Sequence, residues 1–500
     1  GIGRWGKRHV QLKLAMNYLA NQRDNLPKAI KEFKMRINMI SVKKLFGMFD
    51  YTIPLNLEKR ATIIIGPNGY GKTTILKMIN GIFNGNLSIL FRVPFSEFTI
   101  DFEDNSKIQL LKKERSKKNT RDILDLILTF STPGEEIKSI NLTDIGSEKS
   151  REFLYYASDM LHDEYIDRST LRLLRAGGDF QNIENIFSIY EKLYDVFSRE
   201  MNYGEKRSSR LHFPAFLQSE FGEKLQAIMQ ITRTLNVHFI QTQRLISYTT
   251  QEKAERSEKE TPVVNMYSNA LAKDIETTLA KSSQQAQKLD STFPRRVITN
   301  PPPKGTKDTY QKLLKELEDL RNKRIHLRDT GILVDLGDDL EITESIDDIN
   351  RLNYLNGVLT EYINDTRIKL AIFDELAGKI ELLKKIINER FSYKKLEISK
   401  DKGFIFMTTQ GEELPPDALS SGEQHELVMF YEFLFKVPKG SLLLIDEPEL
   451  SLHIDWQQRF LKDLIEIAEL AGFDVVIATH APSIINNFWS LAVDLGELDK

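Results

Sequence analysis

The sequence predicts an α/β fold, a mixed sheet with helices interrupted by large helical insertions. Three observations lead to this prediction. Continuous apolar runs of the buried-strand type lie near both ends of the chain, at 61–65, 442–445 and 475–478. The first run is followed by a glycine-rich loop and a helical pattern. Helical periodicity then dominates the long stretch between the two groups of strands.

Composition limits the class of protein. The chain has 500 residues, 41% of them hydrophobic and 28% charged, which predicts a globular protein of two or three structural units. It has no cysteine, which excludes disulfides and thiolate metal sites and fits a reducing compartment, so we expect a cytoplasmic protein. Its net charge of −3 gives no global nucleic-acid signature. No apolar run approaches a transmembrane helix, so no membrane contact is expected.

Changes of periodicity along the chain predict six segments. In order, they are an N-terminal extension of unknown role (1–36), the N-terminal lobe of the sheet domain (37–118), a helical insertion (119–235), a return to the sheet domain (236–246), a helical or short coiled-coil insertion (247–390), and the C-terminal lobe (391–500).

Strands and helices of the two lobes are predicted from apolar alternation and turn residues. In the first lobe these are strands Met39–Leu45, Tyr51–Leu55 and Ala61–Ile65, helix Lys72–Ile82 and a hairpin over Phe98–Leu111. Later ones are strands Val237–Gln241, Lys395–Ser399, Phe404–Thr408, Leu442–Ile445, Val475–Ala478 and Leu491–Leu495, and helix Trp456–Leu470.

The two insertions have helical patterns with one predicted break. Ile183, Ile186, Phe187, Tyr190 and Leu193 mark one apolar face of the first insertion. In the second, the proline-rich segment 291–305 predicts a loop. After it, leucines at 313, 317, 320 and 327 follow a heptad that is too short for a long coiled coil, which favours a helical hairpin or bundle.

One segment has the pattern of a phosphate-binding loop. Gly66-Pro67-Asn68-Gly69-Tyr70-Gly71-Lys72-Thr73 satisfies GxxxxGK[ST] between a buried strand and a helix. Its glycines let backbone amides turn toward phosphate oxygens, while Lys72 would reach the β and γ phosphates and Thr73 would bind Mg²⁺. With the adjacent Thr74, these residues are the predicted ATP-binding loop. An ordinary glycine-rich turn is the alternative, which the strand–helix context disfavours.

A pair of acids follows a buried strand in the C-terminal lobe. The strand Leu442–Ile445 is followed by Asp446 and Glu447. Asp446 is a candidate Mg²⁺ ligand, and Glu447 is a candidate general base that polarises an attacking water. By itself this pattern also fits an ordinary acidic turn after a strand.

Three further sequence segments complete a resemblance to ABC-type ATPases. Leu419–Gln424 (LSSGEQ) resembles the ABC signature, Pro448–His453 resembles the D-loop, and Thr479-His480 resembles the switch histidine. Their order agrees as well. Within that superfamily the chain resembles the SMC-like and RecF-like ATPases. It is most similar to bacterial OLD-type and AbiEii-like ATPases of phage defence, such as Septu PtuA or PARIS AriA, through LSSGEQ, IDEPELSLHIDWQ and ATHAP.

The resemblance implies an ABC-type head and a head-to-tail dimer or higher homo-oligomer that uses ATP and Mg²⁺. The residues Ser420, Ser421, Gly422 and Glu423 of one chain would close on the nucleotide held at Lys72 of another. Ser420 would contact the γ-phosphate, and His480 would hold the γ-phosphate and the water while Glu447 acts as base. Gln243 resembles a Q-loop Mg²⁺ contact. Two residues depart from many ABC proteins: Ser421 replaces a glycine, and His453 replaces the aspartate common in transporters.

The expected role is a sensor or scaffold subunit of a bacterial anti-phage system. Its ATPase would control a separate nuclease or toxin effector, with DNA or a phage protein as trigger. No nuclease domain is expected in the chain itself, because no nuclease metal cluster is evident and the predicted sheet domain continues almost to its last residue.

Two alternatives stay open. The first is a DNA repair or chromosome-maintenance ATPase that binds DNA directly, supported by a basic run that could equally be a solvated loop. That run comprises Lys112, Lys113, Arg115, Lys117, Lys118 and Arg121. The second is an ATP-dependent clamp or scaffold in which nucleotide binding assembles a complex and hydrolysis is incidental.

Overall fold

The computed structural model describes residues 35–114, 124–134, 138–143, 220–241, 262–299, 307–333, 349–450, 452 and 454–498. The following sequence predictions lie outside these residues: the segment 1–34, the basic residues at 115, 117, 118 and 121, the apolar face at 183–193, the proline run 301–303, Gln243 and His453. The chain forms two compact units. The first combines Gly1–Arg244 with Val437–Lys500, and the second is Leu245–Lys436.

The first unit contains most of the strands. Its N-terminal part has, in chain order, β1 Ile37–Leu45, β2 Phe49–Pro54, β3 Ala61–Ile65, α1 Lys72–Phe83, α2 Ser88–Arg92, β4 Glu97–Phe102, β5 Lys107–Glu114, β6 Leu124–Ser131, β7 Lys138–Asn141, α3 Glu220–Thr232 and β8 Val237–Gln241. Its C-terminal part has β12 Leu442–Asp446, a 3-10 turn Pro448–Leu450, α9 Ile454–Ala471, β13 Asp474–Ala478, α10 Pro482–Ile485, β14 Ala492–Asp494 and α11 Leu495–Leu498.

Six strands form an antiparallel sheet in the order β2-β1-β4-β5-β6-β7. Its last two strands correct the predicted boundary of the first lobe. β6 and β7 lie within 119–235, which the sequence analysis assigned to a helical insertion. The period-two burial of Leu126 and Leu128 shows why β6 is a strand: alternate side chains face the core, and β6 pairs with β5 along its whole length. The sheet therefore continues beyond residue 118 to Asn141.

The other sheet of this unit is parallel, with strand order β14-β3-β13-β12-β8. In the register of the central strands, Ala478 lies opposite both Ile64 and Asp446, and Asp446 also lies opposite Gln241. Strands β3, β12 and β13 are buried almost throughout, as expected for a parallel sheet covered on both faces. Because all five strands run in the same direction, their carboxyl ends lie along one edge.

Helix α1 fixes the position of the loop that precedes it. The helix packs against β8, β12 and β13 through an apolar face that includes Ile75, Leu76 and Ile79. These side chains belong to one hydrophobic cluster that also contains core residues of both sheets. The start of α1 is therefore held at the carboxyl edge of the parallel sheet.

The second unit combines long helices with a small antiparallel sheet. Its elements are α4 Val263–Thr299, α5 Lys307–Asp329, α6 Ile349–Ala371, α7 Asp374–Asn388, β9 Lys394–Ser399, β10 Gly403–Thr408, β11 Glu413–Leu414 and α8 Ser421–Tyr431. The strand order is β11-β10-β9, and both α4 and α5 pack against α6. Leu313, Leu320 and Leu327, spaced by heptads on α5, are buried.

Helix α4 continues further than predicted. The sequence analysis placed a break from Ser291 onward, whereas α4 extends through Pro294 and ends at Thr299. Pro294 removes one hydrogen bond from the helix. Beyond it, Arg296 pairs with Glu361 and Asp365 of α6 at 2.7 Å each, which holds the last turns of α4 against that helix. The helix ends just before Asn300-Pro301, where the proline ring disfavours helical geometry for the preceding residue.

Candidate nucleotide-binding and hydrolysis site

The loop between β3 and α1 has a backbone that requires glycine. Gly66, Gly69 and Gly71 have positive φ values of 146°, 89° and 90°. A Cβ atom at Gly71 would lie 2.6 Å from Leu45 Cδ2, so a side chain there would also clash with the core. The positive φ values therefore favour glycine at all three positions, and at Gly71 the Leu45 side chain would also have to move to admit a Cβ atom.

The first turn of α1 presents free amides beside this loop. No side chain caps the helix, whose N-cap is Gly71, so its leading N–H groups are left for another acceptor. The helix dipole adds partial positive charge at the same end. Thr74 lies half-buried in this first turn. Together these features suit a bound phosphate.

Lys72 is the cation of this loop. Its Nζ atom donates hydrogen bonds to the carbonyl oxygens of Gly66, at 2.7 Å, and Pro67, at 3.1 Å. Burial lowers the pKa of Lys72, and four neighbouring carboxylates partly oppose this shift: Glu447, Asp446, Glu449 and Asp494. The ammonium group is thus held next to the loop and among acidic side chains.

Thr73 and Asp446 are brought into direct contact across the sheet. Thr73 Oγ1 lies 2.9 Å from Asp446 Oδ1, although the residues are 373 positions apart. Burial raises the pKa of Asp446, while the Thr73 hydrogen bond and the charge of Lys77 act in the opposite direction. A hydroxyl and one carboxylate fit Mg²⁺, which is usually held by one or two carboxylates together with substrate phosphates and water.

Glu447 leaves the sheet in a strained backbone conformation. Its φ is 49°, a left-handed value that is uncommon for a residue with a side chain. Its amide donates to the Ala478 carbonyl at 2.8 Å, so neighbouring strand β13 holds the turn in place. Residues with strained backbone conformations of this kind cluster at functional sites.

His480 follows β13 and lies beside two carboxylates. Its Nδ1 atom is 3.1 Å from Glu449 Oε1 and 3.8 Å from Glu447 Oε1. Sequence analysis did not identify Glu449, which is only 9% exposed in the 3-10 turn after β12. Glu449 stands in the segment Glu447-Pro448-Glu449, where no periodic pattern indicates that its side chain is buried.

A family model described as AAA ATPase domain matches residues 35–485. The chain belongs to this family of AAA ATPase domains. The match confirms the predicted α/β fold with a P-loop and the predicted ATPase class. No curated protein matches the chain.

Two solved structures are also similar to this AAA ATPase chain. One is the Smc head domain with an extended coiled coil bound to the C-terminal domain of ScpA, derived from Pyrococcus furiosus. It is 11% identical over 90% of this chain and 91% of that chain, with a TM-score of 0.30. The other is the SmcHead bound to the C-winged helix domain of ScpA, 10% identical over 90% of each chain, with a TM-score of 0.26.

The predicted signature of this AAA ATPase lies in the second unit, at the start of α8. Ser420, Ser421 and Gly422 are exposed. Ser420 is the N-cap of the helix and forms a capping box with Glu423, whose Oε2 accepts from the Ser420 amide and hydroxyl at 2.8 Å each. Burial alone would raise the pKa of Glu423, but hydrogen bonds from Lys394 and Ser420 lower it overall.

The predicted Q-loop contact Gln243 and the D-loop residue His453 of the AAA ATPase site fall outside the described residues. Strand β8, which ends two residues before Gln243, pairs with β12 and places Gln241 opposite Asp446. Within the described part of the D-loop, Pro448–Leu450 forms a 3-10 turn and Leu452 is buried.

The basic run considered for DNA binding is described only at Lys112 and Lys113. Lys112 Nζ donates to the carbonyl oxygens of Phe91 at 3.1 Å and Val93 at 2.5 Å, and burial lowers its pKa to about 8. It therefore serves the local packing of β5. Lys113 is exposed. In the described part of this AAA ATPase, no helix is long and apolar enough to cross a membrane.

Substitution of Asp446 by Asn should stabilise the nucleotide-free AAA ATPase at neutral pH. The amide oxygen can still accept from Thr73, and the penalty of burying a charge is removed. The rise in Tm should be about 2 °C or less, because about 1 kcal/mol shifts Tm by about 2–4 °C in a domain of 150–250 residues and by less in a larger chain. Burial raises the pKa of Asp446, so the carboxyl is ionised, and the substitution raises Tm fully, only above that pKa. As the pH falls through it toward 3.8, the carboxyl becomes neutral and the difference in Tm between the two proteins should vanish.

Thermal unfolding of both proteins across this pH range measures the effect. Asp401→Asn, at an exposed turn, is the matched control and should leave Tm unchanged at every pH. Asp446→Asn melting curves that match the wild type at neutral pH would contradict the assigned burial penalty.

Proposed function

We propose that this chain binds ATP at the loop 66–73 and hydrolyses it with Glu447 as the general base. The observation that carries the proposal is the Thr73–Asp446 hydrogen bond of 2.9 Å. It joins the end of the phosphate-binding loop to the strand whose next residue is Glu447. The residues suited to bind phosphate and those suited to activate water therefore share one edge.

Each group has a chemical task that its surroundings support. The free amides of α1 and the ammonium group of Lys72 bind the phosphates. Thr73 and Asp446 would hold Mg²⁺, which neutralises charge on the phosphate oxygens. Glu447 accepts the proton of the attacking water, and His480, held beside it, orients the water and the terminal phosphate.

Lys72→Ala and Glu447→Gln separate binding from hydrolysis. Lys72→Ala should abolish ATP affinity, because it removes the cation of the loop. Glu447→Gln should keep ATP affinity and lower kcat by about 10²–10⁴-fold, the usual contribution of a general base. Equilibrium binding of labelled ATP and steady-state phosphate release measure the two effects.

Glu58→Gln is the matched control, since Glu58 is exposed in a turn of the same unit, and it should behave like the wild type. Hydrolysis at the wild-type rate by Glu447→Gln would remove Glu447 as the base. That variant also tests the clamp alternative, because a protein that needs only binding would keep its cellular activity.

We further propose that two chains form the active enzyme head to tail. The Ser420–Gly422 segment is exposed at the start of α8, where the helix dipole adds partial positive charge that suits an anion. Resemblance of this segment to the ABC signature supports its use on a nucleotide held at Lys72 of a second chain.

A mixing experiment tests the shared site. Ser420→Asp keeps a good N-cap for α8 but places negative charge toward the phosphate, so it should be inactive alone, as should Lys72→Ala. An equal mixture should recover up to about a quarter of wild-type activity, because half the dimers are mixed and each has one intact site. Absence of any recovery in mixtures shown to contain mixed dimers would contradict the shared site.

The cellular role we propose is that of a sensor or scaffold in bacterial anti-phage defence, controlling a separate nuclease or toxin. The resemblance of LSSGEQ, IDEPELSLHIDWQ and ATHAP to phage-defence ATPases supports it. Cells carrying the chain with its neighbouring genes should resist phage in plaque assays, and Glu447→Gln should abolish protection. Equal plaque numbers with and without the wild-type genes across a diverse phage panel would overturn this role.

A further inference from the structure

Glu449 is buried and hydrogen-bonded as carboxylates of active sites often are, although it was not among the predicted site residues. Its side chain is buried, and both oxygens are engaged. Oε2 accepts from Thr479 Oγ1 at 2.9 Å, and Oε1 accepts from the His480 amide at 3.2 Å. His480 Nδ1 lies 3.1 Å from the same Oε1 atom. All these atoms belong to the first unit, so β12 and β13 fix them relative to one another.

This arrangement determines which nitrogen of His480 faces outward. At 3.1 Å, Nδ1 is the ring nitrogen placed to donate to Glu449, and because a carboxylate only accepts hydrogen bonds, such a bond requires the proton on Nδ1. The hydrogen bond made by one ring nitrogen sets the state of the other. Nε2 has no hydrogen-bond partner among the described residues, and the His480 side chain is 46% exposed. Nε2 is therefore the nitrogen available to substrate.

Glu449, and not the proposed base Glu447, is the carboxylate within hydrogen-bond reach of His480. The distance from His480 Nδ1 to Glu447 Oε1 is 3.8 Å, beyond a hydrogen bond, whereas Glu449 lies within reach. If Glu449 lost its accepting oxygens, Glu447 would be the nearest carboxylate left for the Nδ1 proton. A base occupied in that way could not take a proton from water.

We propose that Glu449 is a positioning residue for ATP hydrolysis. It holds the Nδ1 atom of His480, directs Nε2 to the terminal phosphate and the attacking water, and leaves Glu447 free to act as base. This inference rests on the proposed hydrolytic function of Glu447 and His480. It adds a residue that works through His480 and does not itself touch the substrate.

Steady-state kinetics of Glu449→Gln in the full chain provide the first test. Glutamine keeps the volume of glutamate but accepts at one atom only, so it cannot serve Thr479 and both His480 donors. We expect kcat to fall about 10–100-fold, the range typical when the partner that orients a metal-binding histidine is removed, with KM for ATP unchanged. Glu469→Gln, at an exposed position on α9, is the matched control and should leave both constants unchanged.

A double substitution distinguishes positioning from general structural support. If Glu449 acts through His480, then Glu449→Gln combined with His480→Ala should be no slower than His480→Ala alone. Losses that multiply, or a raised KM with unchanged kcat, would overturn the proposal. If Glu447→Gln is inactive while Glu449→Gln turns over at the wild-type rate, the positioning role fails and the proposed function stands. If Glu447→Gln is fully active, the proposed function itself fails.

The tautomer of His480 can be read in the unaltered protein, independently of how the variants fold. Nitrogen-15 spectra of histidine-labelled protein at mildly alkaline pH should show His480, identified by its absence in His480→Ala, with the proton on Nδ1. Neutral histidine in water favours the proton on Nε2, so this is a specific expectation. A His480 ring with its proton on Nε2 would overturn the proposal.

Discussion

Parallel pairing of β3, β13 and β12 is the constraint on which the rest of the site depends. These strands come from positions 61–65, 474–478 and 442–446, and their registers align Ile64, Ala478 and Asp446 across the sheet. Each strand is followed by a functional segment: the phosphate loop, His480 and Glu447. Because a parallel sheet brings all carboxyl ends to one edge, residues up to 373 positions apart in sequence meet within hydrogen-bond distance.

The nucleotide-free site keeps several features that cost stability. Asp446 is a buried carboxylate, Glu447 has a left-handed backbone, and Lys72 is a buried cation supported by carbonyl oxygens. These unfavourable features are at the residues that we expect to contact Mg²⁺, the phosphates and the attacking water. Functional sites commonly contain such strained or destabilising residues. The hydrophobic cluster shared by α1 and both sheets helps to compensate for them, because it packs α1, and with it the start of the loop's helix, against the parallel sheet.

Elements with strong local patterns were predictable from the sequence. Strands β3 and β8 and the start of α1 lie where their apolar runs and glycines indicated. Strand β6 was missed because Leu124, Ile127 and Leu128 also have the i, i+3, i+4 spacing of a helical face, so the run fits both periods. Glu449 was missed for a different reason: its burial depends on Thr479 and His480, and only the pairing of β12 with β13 brings these residues to it. Local sequence patterns predict where the motifs lie in the chain. The contacts between the motifs depend on the strand order and register of the sheet, which these patterns do not give.

The structure of Glu447→Gln bound to ATP and Mg²⁺ would show whether the carboxyl edge of the parallel sheet is the hydrolytic site. The account predicts the terminal phosphate against Lys72 and the first turn of α1. It also predicts His480 Nε2 facing that phosphate while Nδ1 stays on Glu449. A nucleotide bound away from residues 66–73, or a terminal phosphate out of reach of Glu447 and His480, would contradict it.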